Sequence, residues 1–296
     1  MKNNTFPTVS VVLCTFNDER YIRQSVESIL NQSFSDFEFI IWDDGSTDGT
    51  SEIVKSYNDE RIRYFYHENT GLGAALNLAC QQARGKYIAR MDGDDVSFSH
   101  RLKSEVGYLE SHPETVLVSS SVFYIDENDN VIGRSYPWTW NRNIKRKLNI
   151  VHPAAMFHRD AYNKTCGYLD IKSAQDRILW SKLSAYGTFA IIKEPLIQYR
   201  WIQSSLSHAI DLSSPYAKML EIVREKMCYD QAVTAEDIVL HNKLYQLSKT
   251  TGKTNFCVYK QSIEEKAAHL MNRFIGEKST TIIISFFKNI YAFIKY

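Results

Sequence analysis

Three polar clusters in the first hundred residues have the types and spacing to do chemistry together. The most telling is Met91-Asp92-Gly93-Asp94-Asp95, with three carboxylates within four positions. Carboxylates held so close repel one another, and a bound divalent cation offsets that repulsion. Mg2+ and Mn2+ favour carboxylate oxygens completed by phosphate oxygens, so the pattern suits a metal–phosphate site. Gly93 lets the backbone bend close to a ligand. A solvated Asp-Gly turn is the plainer reading of the same residues. The second cluster is Asp43-Asp44-Gly45-Ser46-Thr47-Asp48. Ser46 and Asp48 suit a turn and the cap of a following helix. Asp43 and Asp44 fall outside that explanation, because they end an apolar run. A carboxylate there could accept from a base-ring N–H or a ribose hydroxyl. The third cluster is Thr15-Phe16-Asn17-Asp18.

Each cluster directly follows an apolar run, at residues 9–13, 37–42 and 87–91. Such runs, rich in branched residues, read as strands buried on both faces. Helical spacing follows the first in Tyr21, Ile22, Val26, Ile29 and Leu30. Further helices are expected over 51–57 and 73–83, with a strand at 62–66. This β-α-β-α-β-α-β order predicts an α/β domain with a mostly parallel sheet. Ligands bind beyond the carboxyl ends of such strands, where all three clusters fall. From about Arg101 the pattern changes. Strands are expected at 116–121 and 122–125, with a polar turn at 126–130 returning as a hairpin at 131–133. Residues 149–157 read as extended and 176–186 as helical. Beyond about Asp211 the chain reads as amphipathic helices to its end.

Composition narrows the function class. The 296 residues carry 35 Lys+Arg against 34 Asp+Glu, a net charge of +1. A general nucleic-acid binder would be more basic. Aromatic residues make up 13% of the chain, ample core material and an argument against disorder. The length gives a prior of roughly two domains. Cys14, Cys80, Cys166, Cys228 and Cys257 are scattered and form no CxxC pair. That speaks against a zinc site or a disulfide framework and for a reducing compartment. The first residues lack the apolar core of a secretory signal, and no stretch reaches the roughly 20 apolar residues of a spanning helix. A cytoplasmic protein is expected, with the Asn-x-Ser/Thr triplets at Asn3, Asn31 and Asn163 as chance matches.

The segment VSVVLCTFNDERYIRQSVESILNQSFSDFEFIIWDDGSTDGT resembles the opening of the family 2 glycosyltransferases, and ENTGLGAALNLACQQARGKYIARMDGDDVSFSHRL resembles their next segment. Weaker resemblance continues through HPAAMFHR, AQDRILWSKLSAYG and IQYRW. It implies a nucleotide-sugar-binding α/β fold of the GT-A type, with a mostly parallel central sheet and a helical C-terminal region. Residues 1–100 would be the nucleotide-sugar half, 101–210 the acceptor and catalytic-base half, and 211–296 a helical extension. The implied activity is inverting transfer of a sugar from a nucleotide donor, UDP-linked, with Mn2+ or Mg2+, to a glycan or lipid-linked acceptor in cell-surface polysaccharide or lipopolysaccharide assembly. By the same resemblance, Thr15, Asn17, Asp43 and Asp44 bind the nucleotide sugar, Asp44 at the uracil ring. Asn69, Gly71 and Asn77 lie in the family's segment beside the nucleotide. Asp92 and Asp94 fill the DxD motif, with Asp94 the direct metal ligand and Asp92 at the ribose or the metal's water shell. Asp95 orients the donor sugar. Asp176 matches the catalytic base, although Gln175 stands where relatives have Glu, and a carboxylate near a helix start also has a capping explanation. His152 matches the acceptor side.

Two rival classes remain open: a sugar nucleotidyltransferase, and a non-catalytic nucleotide-sugar or glycan-binding module. The first usually brings a Gly-rich basic loop early in the chain, which 15–20 is not. Gln198-Tyr199-Arg200-Trp201 has one residue too few for the QxxRW signature of processive synthases. Whether His208 completes a metal site stays open. Gly71-Leu72-Gly73-Ala74-Ala75-Leu76 lacks the last small residue of a dinucleotide fingerprint. Gly252-Lys253-Thr254 lacks the first Gly of a P-loop. The apolar tail 281–296 is too short to span a bilayer. It fits either a helix in the membrane interface, which would make a peripheral protein at the cytoplasmic membrane, or a helix docked on the protein.

Overall fold

A computed structural model describes residues 6–135, 150–201 and 220–249, the last apart from 222, 225–226 and 229–232. Its frame is the expected alternation: β1 (Val9–Thr15), α1 (Ile22–Leu30), β2 (Phe37–Asp43), α2 (Thr50–Lys55), β3 (Ile62–Tyr66), α3 (Leu72–Gln81) and β4 (Tyr87–Asp92). Strand β1 pairs in parallel with β2 on one side and β4 on the other, and β2 pairs in parallel with β3. All seven residues of β1 and of β2 are buried, as apolar runs covered on both faces must be.

The period of two then sorts the side chains. Val9, Val11 and Leu13 meet Ile22, Val26 and Ile29 of α1 on one face. Val12 and Cys14 meet Ala75, Leu76 and Ala79 of α3 on the other. The spacing of Ile22, Val26 and Ile29 lays all three on one stripe of α1, each contributing about 1.5–3 kcal/mol by full burial.

The second half joins the same sheet. After β5 (Val96–Ser97) and α4 (Arg101–Ser111) come β6 (Thr115–Ile125), β7 (Val131–Arg134), β8 (Met156–His158), α5 (Arg159–Tyr162), α6 (Gln175–Leu183) and β9 (Thr188–Arg200). The order is β3-β2-β1-β4-β8-β6-β9-β5, with β7 paired to β6. Strand β8 is antiparallel to both β4 and β6, while β6 and β9 run parallel.

Several local expectations change. Residues 116–121 and 122–125 belong to one strand, β6, whose three serines, Ser119, Ser120 and Ser121, are buried rather than marking a break. The expected extended run 149–157 holds a 3-10 turn at His152–Ala154, where Pro153 bends the chain before the short β8. Strand β9 carries Lys193, Glu194 and Pro195 in its middle, which hide it from an apolar pattern. Helix α4 is masked by Arg101 and Glu105, both fully buried and paired to each other at 3.0 Å. Of the C-terminal helices, α7 (Ala235–Lys249) is described. Residues 250–296, with the tail 281–296, and also His208, lie outside the described residues.

Candidate active site

The three polar clusters converge at the carboxyl ends of β1, β2 and β4, and their side chains interlock. Asn17, held at φ +58°, donates its N–H to Ser46 Oγ at 2.9 Å, and its Oδ1 accepts the Thr47 N–H at 2.8 Å. Asp18 donates its N–H to Thr50 Oγ1 at 2.9 Å and accepts from Thr15 Oγ1 at 2.7 Å. Asp48 accepts from Thr50 N–H and Oγ1, the capping role its position suggested. Gly93 brings the acidic turn against the first cluster: a Cβ there would fall less than 3.0 Å from Asp18 Oδ2 and 3.1 Å from Thr15 Oγ1. The glycine is needed to make room for a neighbouring carboxylate of the chain itself.

Not every expected residue faces the cleft. Asp43 is fully buried, and its oxygens accept from the Ser46 N–H and the Tyr64 hydroxyl, each at 2.8 Å. Asp44 is 4% exposed. Its Oδ1 accepts from Thr70 N–H and Oγ1, each at 2.9 Å, and its Oδ2 from the Gly71 N–H at 2.8 Å. The two aspartates that no cap explained therefore hold the turns after β2 and β3. Gly71, at φ +88°, lets α3 begin there. Asn69 is exposed beside that turn. Asn77 instead accepts the Tyr162 hydroxyl at 2.7 Å, against the segment preceding α6.

In the acidic turn each carboxylate has a different setting. Asp92 pairs with Arg90, whose side chain is buried while its Nε and Nη1 lack a partner. Asp95 is 1% exposed; its Oδ1 accepts the Arg200 N–H at 2.8 Å. The Asp94 carboxylate makes no hydrogen bond or ion pair with another side chain among the described residues. Burial, with Asp92 and Asp18 nearby, pushes its carboxyl up to about 7. Burial likewise raises Asp18 to about 6, against the lowering effect of its hydrogen bonds from Thr15 and Phe16. A place where several carboxylates resist ionisation is one whose field attracts a cation. Among the described residues no three His, Cys, Asp or Glu side chains converge as a complete metal cage. The turn fits an ion that takes its remaining ligands from a phosphate-bearing substrate.

Asp176 stands in the first turn of α6, after Ala174 in a left-handed conformation at φ +61°. Burial raises its carboxyl above the ordinary range, while its own and the Arg177 N–H pull the other way. His152 bonds through Nε2 to the Tyr168 hydroxyl at 2.8 Å, and burial, then the Arg90 charge, holds it neutral. Tyr168 in turn feels the charges of both Arg90 and Asp176. His152 thus forms a hydrogen-bonded pair with Tyr168. Arg90 and Tyr168 carry no expected role in the sequence; Arg200 lies in the IQYRW segment and the incomplete QxxRW signature, but its contact with the Asp94 carbonyl spans 106 residues and no local pattern announces it.

Residues 10–165 match the family described as Glycosyl transferase family 2. An uncharacterized glycosyltransferase of Methanocaldococcus jannaschii is 38% identical over 205 residues, 66% of this chain and 71% of that protein. Chondroitin synthase of Escherichia coli is 33% identical over 192 residues, 64% of this chain but 28% of the synthase. Among solved structures, S. aureus TarS 1-349 in complex with UDP-GlcNAc is similar in fold, with a TM-score of 0.64 at 20% identity, covering 90% of this chain and 80% of that one.

Proposed function

Because the chain belongs to glycosyl transferase family 2 and is a glycosyltransferase, we propose that it moves a sugar from a UDP-linked donor to an acceptor hydroxyl with inversion, in the assembly of a cell-surface glycan. The observation that carries this reading is the convergence of clusters 15–18, 43–48 and 92–95 at the carboxyl ends of β1, β2 and β4; Asp176 and His152, from the second half, are the candidates for the acceptor side. The UDP-GlcNAc of the TarS complex and the polysaccharide product named for the E. coli relative support a nucleotide sugar and a glycan acceptor.

Asp94 would hold a Mn2+ or Mg2+ ion, with Asp92 in its outer shell. When bound, the ion neutralises charge developing on the leaving diphosphate. The rest falls to the chain's own residues. Thr15, Asn17, Asn69 and the Thr70–Gly71 turn frame the nucleoside, Asp43 and Asp44 by holding those turns in shape. In this setting Asp44 reaches uracil only by a further lone pair, since three donors already occupy it. Asp95, buried against Arg200, would act on the donor sugar through the shape of the turn. Asp176 takes the acceptor hydroxyl proton as the oxygen attacks the anomeric carbon from the face opposite the diphosphate. Its raised pKa makes it the stronger base. No helix among the described residues is long and apolar enough to cross a membrane, so a lipid-linked acceptor would be met at a membrane surface.

The test is a panel of nucleotide sugars screened for Mn2+-dependent protection against thermal unfolding. A donor at 100 times its Kd adds about 2.7 kcal/mol. One UDP-sugar should protect wild type and fail to protect Asp94→Ala. Protection by no nucleotide with metal present, or equal protection of Asp94→Ala, overturns the reading.

A further inference from the structure

Arg200, the last residue of β9, is 2% exposed, and nearly every polar atom it carries is spent on the acidic turn or on what surrounds it. Its N–H donates to Asp95 Oδ1 at 2.8 Å, and its Nε donates to the Asp94 carbonyl at 2.8 Å. The two bonds grip consecutive residues of the turn from one side. The far end of the guanidinium is tied down in three more places. Nη1 donates to the Asp126 carbonyl at 2.8 Å, Nη2 donates to Gln24 Oε1 at 3.0 Å, and Nη2 pairs with Asp129 at 2.7 Å. Its face lies 4.3 Å from the centre of the Tyr21 ring. Gln24 and Tyr21 flank or belong to α1, and Asp126 and Asp129 form the turn between β6 and β7. That turn is itself bound to the start of α1 through Arg20 and Glu127.

A buried guanidinium is costly to desolvate, and it persists where its planar fork meets several acceptors at fixed angles. Here the acceptors belong to three separate segments of the chain. The consequence for the turn is selective. Asp92 is occupied by Arg90 and Asp95 Oδ1 by the Arg200 backbone N–H, which leaves the Asp94 carboxylate as the one of the three that takes no hydrogen bond or ion pair from another residue among the described residues. Fixing the Asp94 carbonyl fixes the direction in which its side chain leaves the backbone.

We propose that Arg200 is the positioning residue of the acidic turn: it clamps the Asp94 carbonyl and the Asp95 carboxylate so that the Asp94 side chain is pre-aimed at a divalent cation carrying the donor diphosphate. The inference rests on the metal role given to Asp94 under the proposed function. Pre-aiming lowers the ordering cost that metal and donor binding would otherwise meet. Lysine keeps the charge but cannot reach the Asp94, Asp126, Gln24 and Asp129 acceptors together.

The test compares wild type, Arg200→Lys, the milder pair Gln24→Ala with Asp129→Asn, and Asp94→Asn. Two readouts are taken: the Mn2+ concentration for half-maximal UDP protection against thermal unfolding, and separate KM values for donor and acceptor. Arg200→Lys should raise the Mn2+ midpoint and the donor KM about tenfold or more, and saturating Mn2+ should restore much of the loss. The acceptor KM should stay within about twofold, a split that general loosening of the fold would not produce. The milder pair, which keeps the arginine, should move both readouts the same way by a smaller factor and keeps the test open if Arg200→Lys fails to fold. An unchanged Mn2+ midpoint in these variants, with a raised midpoint in Asp94→Asn, overturns the role of Arg200 alone. An unchanged midpoint in Asp94→Asn removes the metal role of Asp94 and the inference with it.

Discussion

Gly93→Ala is the most discriminating single change in the acidic turn. The backbone at Gly93 is not in the left-handed region, so alanine is allowed conformationally and the effect is steric. The new Cβ would lie less than 3.0 Å from Asp18 Oδ2, where ordinary contacts begin at 3.4 Å, so the carboxylate must retreat by more than 0.4 Å. Asp18 cannot retreat as a whole. Its N–H is bonded to Thr50 Oγ1, and its carbonyl accepts the N–H groups of Tyr21 and Ile22 that open α1. The side chain must rotate, which breaks its 2.7 Å bond from Thr15 Oγ1. A hydrogen bond to a charged acceptor contributes about 1.5–3 kcal/mol. For a protein of 296 residues a loss of about 2 kcal/mol lowers Tm by roughly 3 °C. The control is Gly107→Ala, at an exposed site inside α4 where a Cβ meets nothing within 4 Å. That change should stabilise by about 0.5–1 kcal/mol, because alanine costs less backbone entropy in a helix. Differential scanning calorimetry of both variants, followed by a Mn2+ titration of UDP protection, checks the argument. Because Asp18 helps raise the Asp94 carboxyl, Gly93→Ala should also shift the metal midpoint while Gly107→Ala should not. Equal Tm values and equal midpoints for wild type and Gly93→Ala would refute the claim that Gly93 exists to admit Asp18.

Asp176→Asn should keep UDP protection and lower kcat by about 10²- to 10⁴-fold, the usual contribution of a general base; full turnover by that variant removes it from the mechanism. Glu38→Gln should destabilise by about 3–5 kcal/mol, since the buried Glu38 accepts from Ser10 Oγ, Arg84 N–H and Arg63 Nη1. It should leave donor KM unchanged in kinetics, because that network sits at the opposite end of the strands from the site. His241 is fully buried, and burial, then Arg224, lowers it to about 4 from an ordinary 6.5. The unfolded chain therefore binds the proton more readily, and stability is lost as pH falls from 6.5 toward 4, by about 3 kcal/mol in total. Urea titrations across that window should show a steeper fall for wild type than for His241→Gln.

The α/β frame was legible because its cause is local. A strand covered on both faces must be apolar throughout, and a helix covering it must be apolar every third or fourth residue, so β1 to β4 and α1 to α3 lie open in the residue pattern. The polar clusters were legible for a related reason: Thr15, Asp43 and Asp92 end their strands, and a strand end is where an open sheet places ligands. What each polar residue does there was not legible. Asp43, Asp44 and Asp95 look equivalent to Asp94 as letters, yet three of them are taken up by hydrogen bonds from Tyr64, Thr70 and Gly71, and Arg200, and one is not. That distinction depends on donors 21 to 105 residues away in the chain. Strand β9 escaped the pattern because the exposed Lys193 and Glu194, with Pro195, interrupt it, and helix α4 because its charged Arg101 and Glu105 are buried as a pair. Residue periodicity records contact with an apolar layer. Which carboxylate stays free to hold a cation is decided by partners that only the tertiary structure brings within hydrogen-bond reach.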